Sequence, residues 1–236
     1  YMDIDDKNLK DASKLLRDNG INFWVCHGTL LGIIRENRLL PWDGDIDLAV
    51  WSHETNKEQV ANIFESEGYQ QELFFADLDS LHFIREGKNL DINFFNKSES
   101  IASWLGAVEM DGFLNKLIIH LAHIMHIKDV RKITLPISRL KTFIYLLFAG
   151  FILLGRIILP NSLKKKIHQR AVKCIRYIGY SYPVELLVFN EIEYKGITLQ
   201  APINSEKYLE LTYGADWKTP KKDYIWYEDA SNLTRD

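Results

Sequence analysis

The chain has 236 residues, 47% of them apolar, which is room for one sizeable core, or for one catalytic domain with an appended helical unit, and is not the composition of a disordered protein. A formal net charge of −3 argues against a general nucleic-acid binder, because counterion-driven affinity needs a basic face. Cys26 and Cys174 lie far apart, with neither zinc-ligand nor disulfide-framework spacing, and read as buried thiols of a reducing compartment.

Residues 5–19 carry Leu9, Ala12, Leu15 and Leu16 at helical spacing and end at Asn19-Gly20, predicting an amphipathic opening helix. Residues 1–11 are acidic and polar where a secretory leader is basic and then apolar, so no leader is expected there. Residues 21–26 read as a buried strand broken by Gly28-Thr29, then a short helix at 30–35 and a strand at 45–51. A second helix is predicted at 55–68, then strands at 70–76, 81–86 and 90–95 that extend the same sheet, the last two joined by a turn at Gly87-Lys88.

Asp43, Asp45 and Asp47 fall on alternate positions, so an extended segment puts all three on one face, neighbours roughly 6 to 7 Å apart. Packed together they repel, unless a hard cation such as Mg²⁺ neutralises them and bridges to phosphate oxygens. Asp91 stands among apolar neighbours in Asn-Leu-Asp-Ile-Asn-Phe-Phe, where an unpaired charge is costly, and is the candidate third metal carboxylate.

From Gly112 the pattern turns helical, with Leu114, Leu117, Ile118, Leu121 and Ile124 as an apolar stripe. His120, His123 and His126 share one side of it, but no carboxylate completes a metal site, and they are left as satisfied or solvent-facing histidines. Residues 143–159 are the most apolar window, 17 positions where a bilayer-crossing helix wants about 20. Next come Lys164, Lys165, Lys166, Arg170, Lys173 and Arg176, interleaved with Ile167, Ala171, Ile175 and Ile178, as in a basic amphipathic helix on an anionic membrane. A monotopic anchor and a greasy internal hairpin or oligomer interface both remain open. Residues 183–236 are polar and aromatic-rich, with strand signals around 192–199.

These residues resemble the LicD family, which includes bacterial phosphocholine transferases and the fukutin and fukutin-related proteins. The front pieces are His27-Gly28-Thr29-Leu30-Leu31-Gly32, Arg35, Pro41-Trp42-Asp43-Gly44-Asp45-Ile46-Asp47 and Leu90-Asp91-Ile92. The tail pieces are Pro183-Val184-Glu185-Leu186, Ile192 to Ile197, Pro202, Tyr208-Leu209 and Tyr213-Gly214-Ala215-Asp216-Trp217. Residues 100–180 match no pattern of that kind.

The resemblance implies an α+β fold of the nucleotidyltransferase, polymerase-beta-like type: a mixed sheet flanked by helices, here with an apolar and basic helical insert. The expected organisation is a core at 1–100, a helical insert at 101–180 with a membrane-associating segment, and a tail at 181–236 packed on the core. The activity implied is transfer of a phospho-alcohol, such as phosphocholine or ribitol phosphate, from a CDP-activated donor to a hydroxyl of a glycan or lipid-linked glycan precursor, releasing CMP. By matching position, Asp45 and Asp47 hold Mg²⁺ or Mn²⁺, Asp91 is a third ligand or the base that takes the acceptor proton, and Asp43 is a further ligand. Gly28 and Thr29 stand where phosphate is contacted, threonine replacing the family's serine. Arg35 braces the carboxylates or the donor, unless it is a structural ion pair, and His27 caps the strand. Trp42, Tyr213 and Trp217 are candidates for stacking on the base or headgroup. A single bilayer crossing at 143–159 would put the front carboxylates and the tail on opposite sides, so peripheral attachment at the cytoplasmic face is expected, with no nucleic-acid partner. The alternatives are transfer of a whole nucleotide to a protein or sugar phosphate, and a non-catalytic membrane-bound assembly factor.

Overall fold

A computed structural model of the chain describes residues 4–72, 76–126 and 159–235. Apart from Leu159, the apolar window at 143–159 lies outside the described residues. Two compact units divide what is described: the first draws on Tyr1–Gln71, Asp79–Gly106 and Ile178–Arg235, the second on Glu72–Leu78 and Ala107–Tyr177.

Helix α1 (Ile4–Asp18) forms as its spacing predicts, burying Leu9, Ala12 and Leu16 completely, and it ends at Gly20, whose φ is +69°. The predicted strand at 21–26 shrinks to β1 (Trp24–Val25), because α2 (His27–Glu36) begins almost at once. Gly28 and Thr29, read from sequence as a break, therefore lie in the first turn of a helix. Strand β2 (Asp45–Trp51) sits where its alternation places it, and α3 (Lys57–Ser66) is capped by the Asn56 side chain, which accepts from the Gln59 N–H at 3.1 Å. Strands β3 (Gln70–Glu72), β4 (Ser80–Arg85) and β5 (Lys88–Lys97) follow. The turn joining the last two is Glu86-Gly87, one residue earlier than predicted, both with positive φ as a tight hairpin turn requires.

Residues 101–180 depart from the predicted helical insert at both ends. β6 (Ile101–Glu109) and β7 (Ile175–Pro183) are strands of the main sheet, and α4 (Phe113–His126) and α5 (Asn161–Val172) are the helices described between them. The reason is period-two burial: Ala102 and Trp104 on β6, and Ile178, Tyr180 and Tyr182 on β7, turn alternate side chains into the core. The basic helix accordingly stops at Val172 rather than running to 178.

In the first unit β1 runs antiparallel to β2, β2 runs parallel to β5 with α3 in the crossover, and β4 is antiparallel to β5. The end of β5 pairs with β6, and the sheet continues through β7 to β10 (Leu233–Arg235). Parallel and antiparallel pairs in one sheet, with helices of the same unit, make a mixed α+β architecture. A short 3₁₀ turn (Val184–Leu186), the hairpin β8 (Phe189–Tyr194) and β9 (Ile197–Pro202), α6 (Ser205–Tyr213) and α7 (Trp226–Asp229) complete it.

The tail is tied to the front by a buried polar node. Asp6, 3% exposed, accepts from the Tyr194 hydroxyl at 2.7 Å and pairs with Lys195 at 2.6 Å, while the same hydroxyl accepts the Leu39 N–H at 3.1 Å. Aromatic rings fill the core: Trp24 packs against Trp51, Phe95 and Phe189, and Tyr182 stacks on Tyr208 at 4.3 Å. In the second unit α4 buries Ile119 and Ala122 and leaves Phe113 and Leu114 exposed. Among the described residues no helix is long and apolar enough to cross a membrane.

Candidate active site

Strand register assembles the site. Across β2, β5 and β4, Asp45 lies opposite Asn89, Asp47 opposite Asp91 opposite His82, and Asn93 opposite Ser80. Because side chains alternate, these polar groups share one face of the sheet while Ile46, Leu48, Leu90 and Ile92 fill the other, all nearly inaccessible. Asp43 precedes β2 in a turn, its N–H bonded to the Leu40 carbonyl at 3.1 Å. One oxygen from each of Asp43, Asp45 and Asp47 lies within 4.8 Å of the others.

The start of α2 is built around these carboxylates. Its N-cap, Cys26, supplies no side-chain hydrogen bond, so the first helical amides need other acceptors. The Asp47 N–H donates to the Thr29 hydroxyl at 2.8 Å, and the Gly28 backbone amide favours the charged form of the Asp47 carboxylate. A Cβ on Gly28 would stand 1.8 Å from Asp43 Oδ2, so only glycine leaves room for that carboxylate where it stands. The helix is therefore locked down by tertiary contact at residues whose local preference is for a turn. Gly28, Thr29, Asp43, Gly44, Asp45 and Asn89 line a small, open cleft.

Asp43 and Asp47 both resist ionisation. Burial, then the neighbouring Asp45 carboxylate, push the Asp43 carboxyl up to about 7. Burial, followed by the charges of Asp45, Asp43 and Asp91, raises Asp47 well above the usual carboxylate range, against the Gly28 N–H that favours its charged form. A dication offsets this repulsion, and clustered carboxylate oxygens are the donors that Mg²⁺ or Mn²⁺ takes. The residues therefore fit such an ion.

The other predicted site residues are placed as follows. Asp91 neighbours Asp47 across the strands, and its Oδ1 is 2.8 Å from His82 Nδ1. Arg35 points to Glu36, 2.7 Å away, and to the Trp217 carbonyl at 3.2 Å, joining α2 to the tail. Trp42 packs on the core with Lys222 5.4 Å above its ring. Tyr213 lies against Tyr224 and Trp217 is buried. His27 does not cap the strand. It is the first residue of α2, at φ +46°, its ring enclosed by Tyr180, Trp104 and Phe95; burial lowers it to about 3, so it stays neutral.

The family profile described as LicD/FKTN/FKRP, nucleotidyltransferase domain, matches residues 20–153, more than half of the chain. The chain belongs to the LicD/FKTN/FKRP family. Among curated relatives, "Ribitol-5-phosphate transferase FKTN" of Mus musculus is 33% identical over 229 residues, 95% of this chain and 35% of that protein. The Homo sapiens protein of the same name is 30% identical over the same shares. An uncharacterized protein of Rickettsia prowazekii is 37% identical over 62 residues, 26% of this chain and 23% of its own length. The chain thus spans about a third or less of these relatives. The LicD/FKTN/FKRP match covers Gly28, Thr29, the four aspartates and two residues that sequence reading passed over, His82 and Asn93. Asn93 carries a legible signal, a polar residue two positions beyond Asp91 and hence on the same strand face. His82 carries none, since its pairing depends on the register of β4.

Proposed function

We propose that this chain is a metal-dependent phosphotransferase of nucleotidyltransferase fold that moves a phospho-alcohol from a CDP-activated donor to a hydroxyl of a glycan or lipid-linked glycan precursor, releasing CMP. The observation that carries the reading is the convergence of Asp43, Asp45 and Asp47 beside the first turn of α2, with Asp43 and Asp45 lining a cleft. Asp43, Asp45 and Asp47 would hold Mg²⁺ or Mn²⁺, with Asp91 as a further ligand or as the base. The ion, when bound, neutralises charge on the donor diphosphate and on the leaving CMP.

The chain's own residues do the remaining work. The Thr29 hydroxyl holds the Asp47 backbone N–H, which fixes the carboxylate-bearing strand against α2 before donor arrives. Asp91, steadied by His82, is the group on this face that suits removal of the acceptor proton. The fukutin relatives, named ribitol-5-phosphate transferases, make ribitol phosphate the first donor headgroup to try, with phosphocholine second.

The same reading puts the protein at an anionic membrane surface, where a lipid-linked acceptor resides. In the second unit Phe113, Leu114 and Leu117 are 81%, 69% and 44% exposed on α4, and Lys165, Lys166 and Arg170 are exposed on α5.

A thermal-shift panel of CDP-ribitol, CDP-choline, CDP-glycerol and nucleoside triphosphates, each with Mg²⁺, tests the reading. One CDP-alcohol should stabilise the protein selectively, by about 2.7 kcal/mol at a hundredfold excess over its dissociation constant. Selective stabilisation by a nucleoside triphosphate would favour transfer of a whole nucleotide instead.

A further inference from the structure

Behind Asp47 lies a run of hydrogen bonds with a single direction. The Trp104 indole N–H, shared with the Asp79 carbonyl at 3.1 Å, donates to Ser80 Oγ at 2.9 Å, the Ser80 hydroxyl donates to Asn93 Oδ1 at 2.9 Å, and Asn93 Nδ2 donates to Asp47 Oδ1 at 3.4 Å. All four residues are buried, at 7%, 6%, 2% and 8% exposure. An indole nitrogen only donates, so Ser80 receives from Trp104 and has its own proton free for Asn93. That proton fixes the amide: Asn93 Oδ1 is engaged, and its NH₂ must face Asp47. The reverse orientation would set a carbonyl oxygen against the Asp47 carboxylate in its ionised, cation-binding form.

A serine and an asparagine this deep in a sheet cost desolvation that alanine or valine would not, which packing alone does not explain. Their bonds leave Asp47 Oδ1 accepting from the sheet side. We propose that Trp104, Ser80 and Asn93 form a polarised hydrogen-bond relay that positions Asp47 for cation binding, making them positioning residues of the transfer reaction. The relay rests on the metal reading given above. Partners that orient a metal-binding carboxylate typically change affinity by roughly 10- to 100-fold when removed.

The test is calorimetric titration of the full chain with Mn²⁺ alone, together with melting curves with and without Mn²⁺, for wild type and for Ser80→Ala, Ser80→Thr, Asn93→Ala and Trp104→Phe. The relay requires Ser80→Ala and Asn93→Ala to weaken Mn²⁺ binding by roughly tenfold or more, and to shrink the melting shift that Mn²⁺ produces. Ser80→Thr, which keeps the hydroxyl, restores both. Trp104→Phe removes the indole donor, retains an aromatic ring and weakens binding in the same direction, so it carries the test if Ser80→Ala does not fold. Variants that melt earlier without metal yet bind Mn²⁺ as tightly as wild type would show packing alone and overturn the relay. Wild type that binds no Mn²⁺ would sink the metal reading first, and the relay with it.

Discussion

A Cβ placed on Gly28 would lie 1.8 Å from the Oδ2 of Asp43, closer than any two such atoms can stand. The glycine is thus a space reserved for a carboxylate rather than a hinge, and its φ needs no left-handed freedom. Gly28→Ala must push Asp43 out of the cluster or lift the first turn of α2 away from it. We expect a fold that still melts cooperatively, with kcat down roughly 100-fold or more, as displacement of about 1 Å at a reacting centre produces. Steady-state kinetics against Mg²⁺ concentration check this.

Thr29 separates into a hydroxyl that matters and a methyl that does not. Thr29→Val leaves the buried Asp47 N–H without its acceptor and should cost about 1–3 kcal/mol, while Thr29→Ser should recover most of it. Urea unfolding of the metal-free protein measures both.

Much of this arrangement was legible before the fold. The alternation of Asp45 to Trp51 places β2 and its carboxylates outright, because one strand face is apolar and the other acidic. The strand-breaking reading of Gly28-Thr29 fails because local propensity favours a turn, whereas a tertiary contact with Asp43 decides for helix. The insert is misread at its C-terminal end because Ile175 and Ile178, three apart, fit a helical spacing, whereas the alternation of Ile178, Tyr180 and Tyr182 and the sheet pairing make a strand. Ser80, His82 and Trp104 join the site only through register, which no single segment encodes.

His27 makes the metal-free protein sensitive to acid. Its folded value, about 3, lies below the ordinary histidine value of 6.5, so the unfolded chain takes up the proton first. Stability from this group is complete above pH 6.5 and is lost as pH falls toward 3, at up to about 1.4 kcal/mol per pH unit. Asp43 and Asp47, raised rather than lowered, act in the opposite sense over the same range. The difference between wild type and His27→Asn isolates the histidine, and asparagine tolerates the positive φ at this position. Unfolding free energies at pH 7, 6 and 5 should fall more steeply in wild type than in the variant.

Arg35 is expected to act on the tail. Arg35→Ala removes the bond to the Trp217 carbonyl and leaves Glu36 with Arg38 alone, so stability should drop by about 1–3 kcal/mol with little change in donor KM. Lysine should not rescue it, since the guanidinium engages Glu36 through two nitrogens. A large rise in donor KM without loss of stability would make Arg35 a donor ligand.

Replacing Phe113 and Leu114 with serine should reduce sedimentation with vesicles containing anionic lipid and leave melting unchanged, since both side chains are exposed. Equal sedimentation of variant and wild type would remove α4 from any membrane contact.

The central claim is that Asp45 and Asp47 hold the ion on which transfer depends. Calorimetric titration with Mg²⁺ of wild type, Asp45→Asn and Asp47→Asn tests it most directly. The account predicts one saturable site in wild type that is lost in both variants, each of which still folds. Equal Mg²⁺ binding by all three proteins would contradict it.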